Sequence, residues 1–389
     1  MRSPLSKKII EVQPSGIRKF FDVAAEMEDV ISLGVGEPDF DTPWRIREEG
    51  IFSLEKGRTF YTSNAGLQEL RDEICHYLER KIHVKYDPKL ETMVTVGGSE
   101  AIDVALRCML DPGDEVLIPQ PCYVSYLPCT VMADGVPLIV ELKHENEFKL
   151  TVEDMESLVT EKTKILILPF PNNPTGSIMT KEDLEPIAAF VREHDLYVIS
   201  DEIYSELSYK GEHVSIASLP GMRERTIVIN GFSKGFAMTG WRLGYCCGPH
   251  EILEQMIKLH QFAIMCAPTT SQYAAVEGLR NCEQEVEEMR KAYNQRRRFL
   301  MHEFARMGLE CFEPYGAFYV FPSIKEFGMT SEKFAERLLI EEKVAVVPGT
   351  AFGACGEGFL RISYAYSLED LKKALARLGH FIQRLRNEQ

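Results

Sequence analysis

Lys234 and Arg242, eight positions apart in NGFSKGFAMTGWRLGY, are the first residues whose types and spacing suggest chemistry. Lys234 follows the apolar run TIVIN, near the carboxyl end of a strand, where open α/β sheets place ligands. By itself it reads more readily as a solvated loop lysine. Arg242 shifts that reading, because a guanidinium near a lysine and the Ser233 hydroxyl can clamp a phosphate through two hydrogen bonds. The three together favour a cofactor site. Ser200-Asp201-Glu202-Ile203-Tyr204 closes another such run. Asp201 there is either a helix N-cap or the counter-charge of a cofactor ring nitrogen, and Tyr204 can reach a ring hydroxyl oxygen. Pro171-Asn172-Asn173-Pro174-Thr175-Gly176 has turn composition, and its Asn173 is also a donor to such an oxygen. Gly97-Gly98-Ser99-Glu100-Ala101 leads from a strand into a helix, whose exposed first N–H groups suit an anion.

The elements that must position these residues are legible as alternation. Seven short runs, MVTV at 93–96, EVLIP at 115–119, VPLIVEL at 136–142, KILILPF at 164–170, LYVIS at 196–200, TIVIN at 226–230 and LGYCC at 243–247, lack polar alternation and read as strands buried on both faces. Amphipathic stretches such as SEAIDVALRCML and KEDLEPIAAFVREHDL lie between them. The expected class is therefore α/β, a seven-stranded, mostly parallel sheet sandwiched by helices. The segment 282–308 has helical spacing with Glu/Arg partners, and Gly308 suits its end. Beyond it GAFYVFP, SEKFAERLLIEE, VAVVP, FLRISYA and SLEDLKKALARLGHFIQRLR predict a smaller α+β unit. The expected division is an arm with part of the small domain at 1–45, a large cofactor-binding domain at 46–285 and a small domain at 286–389.

Composition excludes several classes. The 389 residues are 45% apolar, ordinary for a globular protein, and no run of roughly 18 apolar residues suggests a membrane span. A net charge of −15 argues against wrapping nucleic acid. It leaves small anions open, because a few arginines in a cleft can hold one. Ten cysteines without a CxxC pair read as reduced core residues, and nine histidines show no ligand spacing, so no metal is expected. No apolar signal segment is read at the start, which makes the cytoplasm the expected address.

These motifs resemble those of the class I and II, fold-type I aminotransferases, over nearly the whole chain. The resemblance implies a pyridoxal 5'-phosphate cofactor held as a Schiff base on Lys234, with Arg242 and Ser233 on its phosphate. It makes Asp201 the partner of the pyridine nitrogen. Tyr204 and Asn173 hold the ring oxygen, and Gly98, Ser99 and Glu100 form the phosphate-binding turn. Tyr123, in PQPCYVSY, stacks on the ring. Arg361 in FLRISYA and Gly36 in SLGVGEPDF hold the substrate carboxylate, next to Asn173. Arg361 reads otherwise as a surface arginine at a strand edge, although its aromatic and β-branched neighbours favour a positioned one. Tyr61, in FYTSNAGLQELR, corresponds to a tyrosine reaching a phosphate across a dimer interface, so the resemblance implies a homodimer with shared sites. One departure stands out: many relatives carry a hydroxyl residue three positions before the lysine, where this chain has Gly231, which leaves Ser233 to supply that contact.

PSGIRKF and FPSIKEFGMTS resemble the branch containing aspartate and N-acetyl-diaminopimelate aminotransferases. The helical stretch SGIRKFFDVAAE either presents Ile17 to the substrate side chain or packs as an arm helix. The implied reaction moves an amino group from an L-α-amino acid, aspartate-like, aromatic or N-acetyl-diaminopimelate, to a 2-oxo acid such as 2-oxoglutarate, with Lys234 as general base. C–S lyases and related α-carbanion enzymes use the same parts, and fold analogy does not separate them. Arg361 and Gly36, which suit retention of the α-carboxylate, favour transamination. A regulator that senses the cofactor would need a DNA-binding domain, and no basic helix-turn-helix precedes residue 30. No motif identifies a receptor for the donor side chain.

Overall fold

The computed structural model describes residues 2–12, 14 and 27–388, so Ile17 lies outside the described residues. The strands are β1 (Ile31–Ser32), β2 (Thr92–Thr95), β3 (Glu115–Gln120), β4 (Val136–Glu141), β5 (Thr163–Leu168), β6 (Tyr197–Asp201), β7 (Thr226–Gly231), β8 (Gly244–Cys247), β9 (Tyr319–Val320), β10 (Val344–Ala345), β11 (Val347–Pro348) and β12 (Leu360–Ser363). Seven of them form one sheet in the order β2-β8-β7-β6-β5-β3-β4. All seven sequence-predicted runs are in it. Alternate residues of the central strands feed different cores: Ile165 and Ile167 join one cluster, Leu166 and Leu168 another. Burial on both faces is why these strands carry no polar alternation.

β4 departs from that expectation. It is an edge strand whose residues are mostly half-buried, and Val136 is 43% exposed. An edge strand keeps a face in water even when its sequence is apolar.

β8 alone runs against the other six, antiparallel to both β7 and β2. That reversal sets Gly244 opposite both Thr95 and Gly231. The carboxyl ends of β2 and β7 and the amino end of β8 therefore meet at one point of the sheet edge. Gly97, Ser233 and Arg242, each within three residues of those ends, are brought together by topology. The approach is tight, since a Cβ on Gly244 would lie 2.6 Å from the Gly97 carbonyl carbon.

The helix Gly97–Met109 starts at this point and buries Ala101, Ile102 and Ala105 against the sheet. The helix Lys181–Glu193 opens with a capping box between Thr180 and Asp183. The long helix Glu283–Met307 ends at Gly308 with φ +67, the left-handed cap its sequence predicts. Past it the single predicted strand VAVVP is two strands. β10 pairs in parallel with β1, while β11 pairs antiparallel with β12, which also pairs with β9. The chain changes partner at Val346. Among the described residues no helix is long and apolar enough to cross a membrane. All ten cysteines are free, five of them buried.

Candidate active site

At the carboxyl edge of β5, β6 and β7 lies a cavity of about 360 Å³. It gathers Gly36, Gly98, Ser99, Tyr123, Asn173, Asp201, Tyr204, Ser233, Lys234, Arg242 and Arg361 from the sequence-predicted set. Lys234 follows β7 by three residues, and its Nζ donates to the Gly36 carbonyl at 2.7 Å. Burial pulls its ammonium pKa down to about 8, helped by Arg361 and Arg242 and opposed by Glu37. A lysine in that range is partly a free amine at neutral pH, hence nucleophilic and basic.

Beside it the anion end takes shape. Arg242 donates through Nη1 to the Thr239 carbonyl at 3.0 Å, and its backbone is left-handed at φ +51. Such a conformation costs of order 1 kcal/mol or more and persists where the surroundings hold it. The guanidinium lies over Gly97, which has φ +75; a Cβ there would be 2.8 Å from Nη2. Only glycine meets both demands. Gly98 and Ser99 present the first turn of the helix, and Ser99 Oγ is 3.4 Å from the Tyr123 hydroxyl. Buried Ser233 faces the same space. Gly231 has no room for the hydroxyl side chain of many relatives unless the sheet shifts, since a Cβ would lie 3.0 Å from Gly244 Cα.

Glu100 does not line the cavity. Its carboxylate turns back to the Val96 N–H and across to His260, 2.6 Å from Nδ1, so only its backbone remains available to an anion. Glu100 can therefore serve the phosphate turn through its N–H and not through its side chain. Tyr61 is also absent from the cavity and stands 81% exposed.

Asp201, the last residue of β6, is buried. It caps no helix: the residue before the short 3-10 turn Ser205–Leu207 is Tyr204, not Asp201. Its carboxylate accepts from Tyr126 at 2.6 Å and from the Ile203 N–H at 3.2 Å. Burial raises its pKa, and those two donors partly offset the rise. Among the described residues no cation pairs with it, and such a buried carboxylate is suited to a protonated ring nitrogen.

The opposite end is built around Arg361 on β12, 3% exposed. Its guanidinium lies between the rings of Tyr319 and Phe352, 4.6 Å from each centroid. Nη1 donates to Asn173 Oδ1 at 2.9 Å and Nη2 to the Gly34 carbonyl, while Nε is buried without a partner. Among the described residues no carboxylate pairs with it. The turn that presents Asn173 is held by its neighbour, since Asn172 Oδ1 accepts from the Thr175 N–H and hydroxyl. Gly36 faces Tyr319 too closely for any side chain, as a Cβ would lie 2.2 Å from its hydroxyl oxygen. That hydroxyl also bonds the Tyr204 hydroxyl at 2.8 Å.

Sequence reasoning missed Tyr126, Tyr319, Phe352 and Thr239. Tyr126 stands three residues after Tyr123 in PQPCYVSY, and Tyr319 is inside GAFYVFP, a run read only as a strand.

A reactive lysine, an anion cradle and a buried acid at the edge of a mostly parallel sheet, faced by a buried arginine from the small antiparallel sheet, suit an enzyme that holds an anionic, ring-bearing cofactor beside a carboxylate substrate. Residues 28–378 match the model of the aminotransferase class I and II family. The chain belongs to that family and is a pyridoxal-phosphate-dependent aminotransferase. It is 51% identical to an aspartate aminotransferase of Pyrococcus abyssi over 96% of this chain and 97% of that one. It is 48% identical to aromatic-amino-acid aminotransferase 2 of Thermococcus litoralis, with the same coverage. An aspartate aminotransferase structure from Thermus thermophilus, a double mutant, superposes with a TM-score of 0.93 at 40% identity, covering 98% of this chain and all of that one. The lyase reading has no such relative among these.

Proposed function

We propose that this aminotransferase moves the amino group of an L-α-amino acid to a 2-oxo acid such as 2-oxoglutarate, as a cytoplasmic homodimer. The proposed donors are aspartate-like, aromatic or N-acetyl-diaminopimelate. The observation that carries the reading is Arg361, a buried guanidinium with a free Nε and no counter-ion among the described residues, facing the same cavity as Lys234. A buried charge of this kind calls for an anion, and a planar carboxylate matches it through two parallel hydrogen bonds.

The residues fit the cofactor. Arg242, Ser233 and the N–H groups of Gly98, Ser99 and Glu100 would hold its phosphate, Asp201 its ring nitrogen, Tyr204 and the Asn173 amide its ring oxygen, and Tyr123 its ring face. Lys234 would be its point of covalent attachment. When bound, pyridoxal phosphate supplies an electron-accepting ring that stabilises negative charge at the substrate α-carbon. Arg361, Asn173 and Gly36 orient the α-carboxylate. The Tyr319 and Phe352 rings shield that pair from water, which strengthens it. Lys234 Nζ takes the proton from the α-carbon of the donor, and in the second half-reaction returns one to the α-carbon of the acceptor.

The homodimer is supported by a surface that a monomer would leave bare. Phe60, Tyr61 and Phe262 are all strongly exposed, and the Phe60 carbonyl is tied to Thr269 at 2.7 Å. On this reading Tyr61 reaches the phosphate of the partner subunit. The same reading takes 46–285 as the cofactor domain and 286–389, with part of 1–45, as the small domain. The range of donors follows relatives named for aspartate and for aromatic amino acids. A panel of amino donors assayed with 2-oxoglutarate tests it. Transfer from aspartate, aromatic or N-acetyl-diaminopimelate donors is expected; transfer from none of them would sink the substrate reading.

A further inference from the structure

We propose that His260 is a positioning residue for the cofactor phosphate, acting through Glu100. The inference rests on the reading that the Gly97–Glu100 turn receives the phosphate. The first N–H groups of a helix have no acceptor inside it and carry a partial positive charge, which is what draws an anion to them. A carboxylate in the same first turn is their natural competitor, because it is stabilised by the same donors. Glu100 is such a carboxylate, the only acidic residue in the first turn of the helix Gly97–Met109.

Glu100 is directed elsewhere by two contacts. One oxygen accepts from the N–H of Val96, the residue before the helix, and the other meets His260 Nδ1 at 2.6 Å. An ionised carboxylate only accepts, so Nδ1 carries the proton. His260 comes from the helix His250–Ala263, is 0% exposed, and has its Nε2 buried with no partner. Among the described residues the imidazole's one polar tie is therefore to Glu100. A fully buried imidazole with half of its hydrogen-bonding capacity unused is costly to keep, and the tie to Glu100 is what it contributes. The tie turns the carboxylate away from the cavity and shares its negative charge with a donor. Without it, a buried carboxylate left with one donor turns toward the free N–H groups of its own first turn. There it occupies the donors of the phosphate and repels it.

Cofactor-free enzyme is titrated with pyridoxal phosphate and separately with inorganic phosphate. His260→Leu should weaken both about tenfold or more. His260→Asn, whose amide places a donor where Nδ1 was, should stay near the parent. The double variant His260→Leu with Glu100→Gln should regain most of the lost affinity, because the competing charge is gone; a role in packing alone would show no such rescue. Unchanged affinity in His260→Leu, or a double variant as weak as the single one, overturns the proposal. If His260→Leu does not fold, Glu100→Gln alone decides: it keeps an acceptor for Val96 and should bind phosphate at least as tightly as the parent, and weaker binding overturns the idea. Arg242→Ala separates the two layers. If it leaves phosphate affinity intact, the phosphate-site reading fails; if it weakens binding while His260→Leu does not, only the role of His260 fails.

Discussion

Tyr126 donates its hydroxyl proton to Asp201 at 2.6 Å, both side chains buried beneath the cavity. Burial drives the Asp201 pKa up, and this phenol is the largest influence holding it down. A hydrogen bond to a charged group contributes about 1.5–3 kcal/mol, so Tyr126→Phe should lower kcat/KM roughly 10- to 100-fold. Steady-state kinetics with one donor measures this. A parent-like value would mean that Asp201 stays ionised without the phenol.

Lys234 sets a pH dependence whose sign can be worked out. Its folded pKa is about 8, below the ordinary 10.5, so between those values the folded chain has released a proton that the unfolded chain still holds. The stability contributed by this group therefore rises from about pH 8 to about pH 10.5, and below that window the buried ammonium is a burden. Thermal melts of cofactor-free Lys234→Met should show a higher Tm than the parent at pH 7 and lose this rise. Borohydride reduction of the holoenzyme followed by peptide mapping should place the pyridoxyl group on Lys234; a label on another lysine would refute the assignment.

Arg361→Lys should depress kcat/KM for donors and acceptors alike, because lysine cannot copy a planar fork held between Tyr319 and Phe352. Truncating one member of a buried charge pair costs about 2–5 kcal/mol, or roughly 30- to 5000-fold. The cofactor spectrum should be unchanged. A shift in preference among donors, with no general loss, would assign Arg361 to side-chain recognition instead.

Tyr61→Ala and Lys234→Ala subunits, each inactive alone, should recover part of the activity when mixed. In a mixed dimer with shared sites, one site collects both lesions and the other none. Verified subunit exchange with no recovery would count against the cross-subunit role of Tyr61.

The seven-stranded sheet was legible because burial on both faces leaves a pure apolar signature, as in KILILPF and TIVIN. The partners of the small strands were not. Ile31–Ser32 is too short to carry a period, and its pairing with Val344–Ala345 is set by contacts far apart in the chain. Lys234, Asp201 and Arg242 could be read because their chemistry is unusual at strand ends. Tyr126 and Tyr319 could not, since a buried tyrosine reads as core until its hydroxyl is seen to face Asp201 or Tyr204. The direction of the Glu100 side chain was not legible for a similar reason: which way an acid at a helix start turns depends on His260, 160 residues away.

The pairing of Leu33 with Ala345 and Ser363 also orders events on the ribosome. The cofactor end can assemble once β8, which ends at Cys247, has emerged, since its strands are by then complete. The substrate end cannot. Gly34 and Gly36 have no strand to anchor them until Ala345 and Ser363 are made, and the arginine that bonds Gly34 emerges just before Ser363. A nascent chain stalled after Cys247 and before Ala345 would carry the cradle for the cofactor with nothing yet to hold an amino acid.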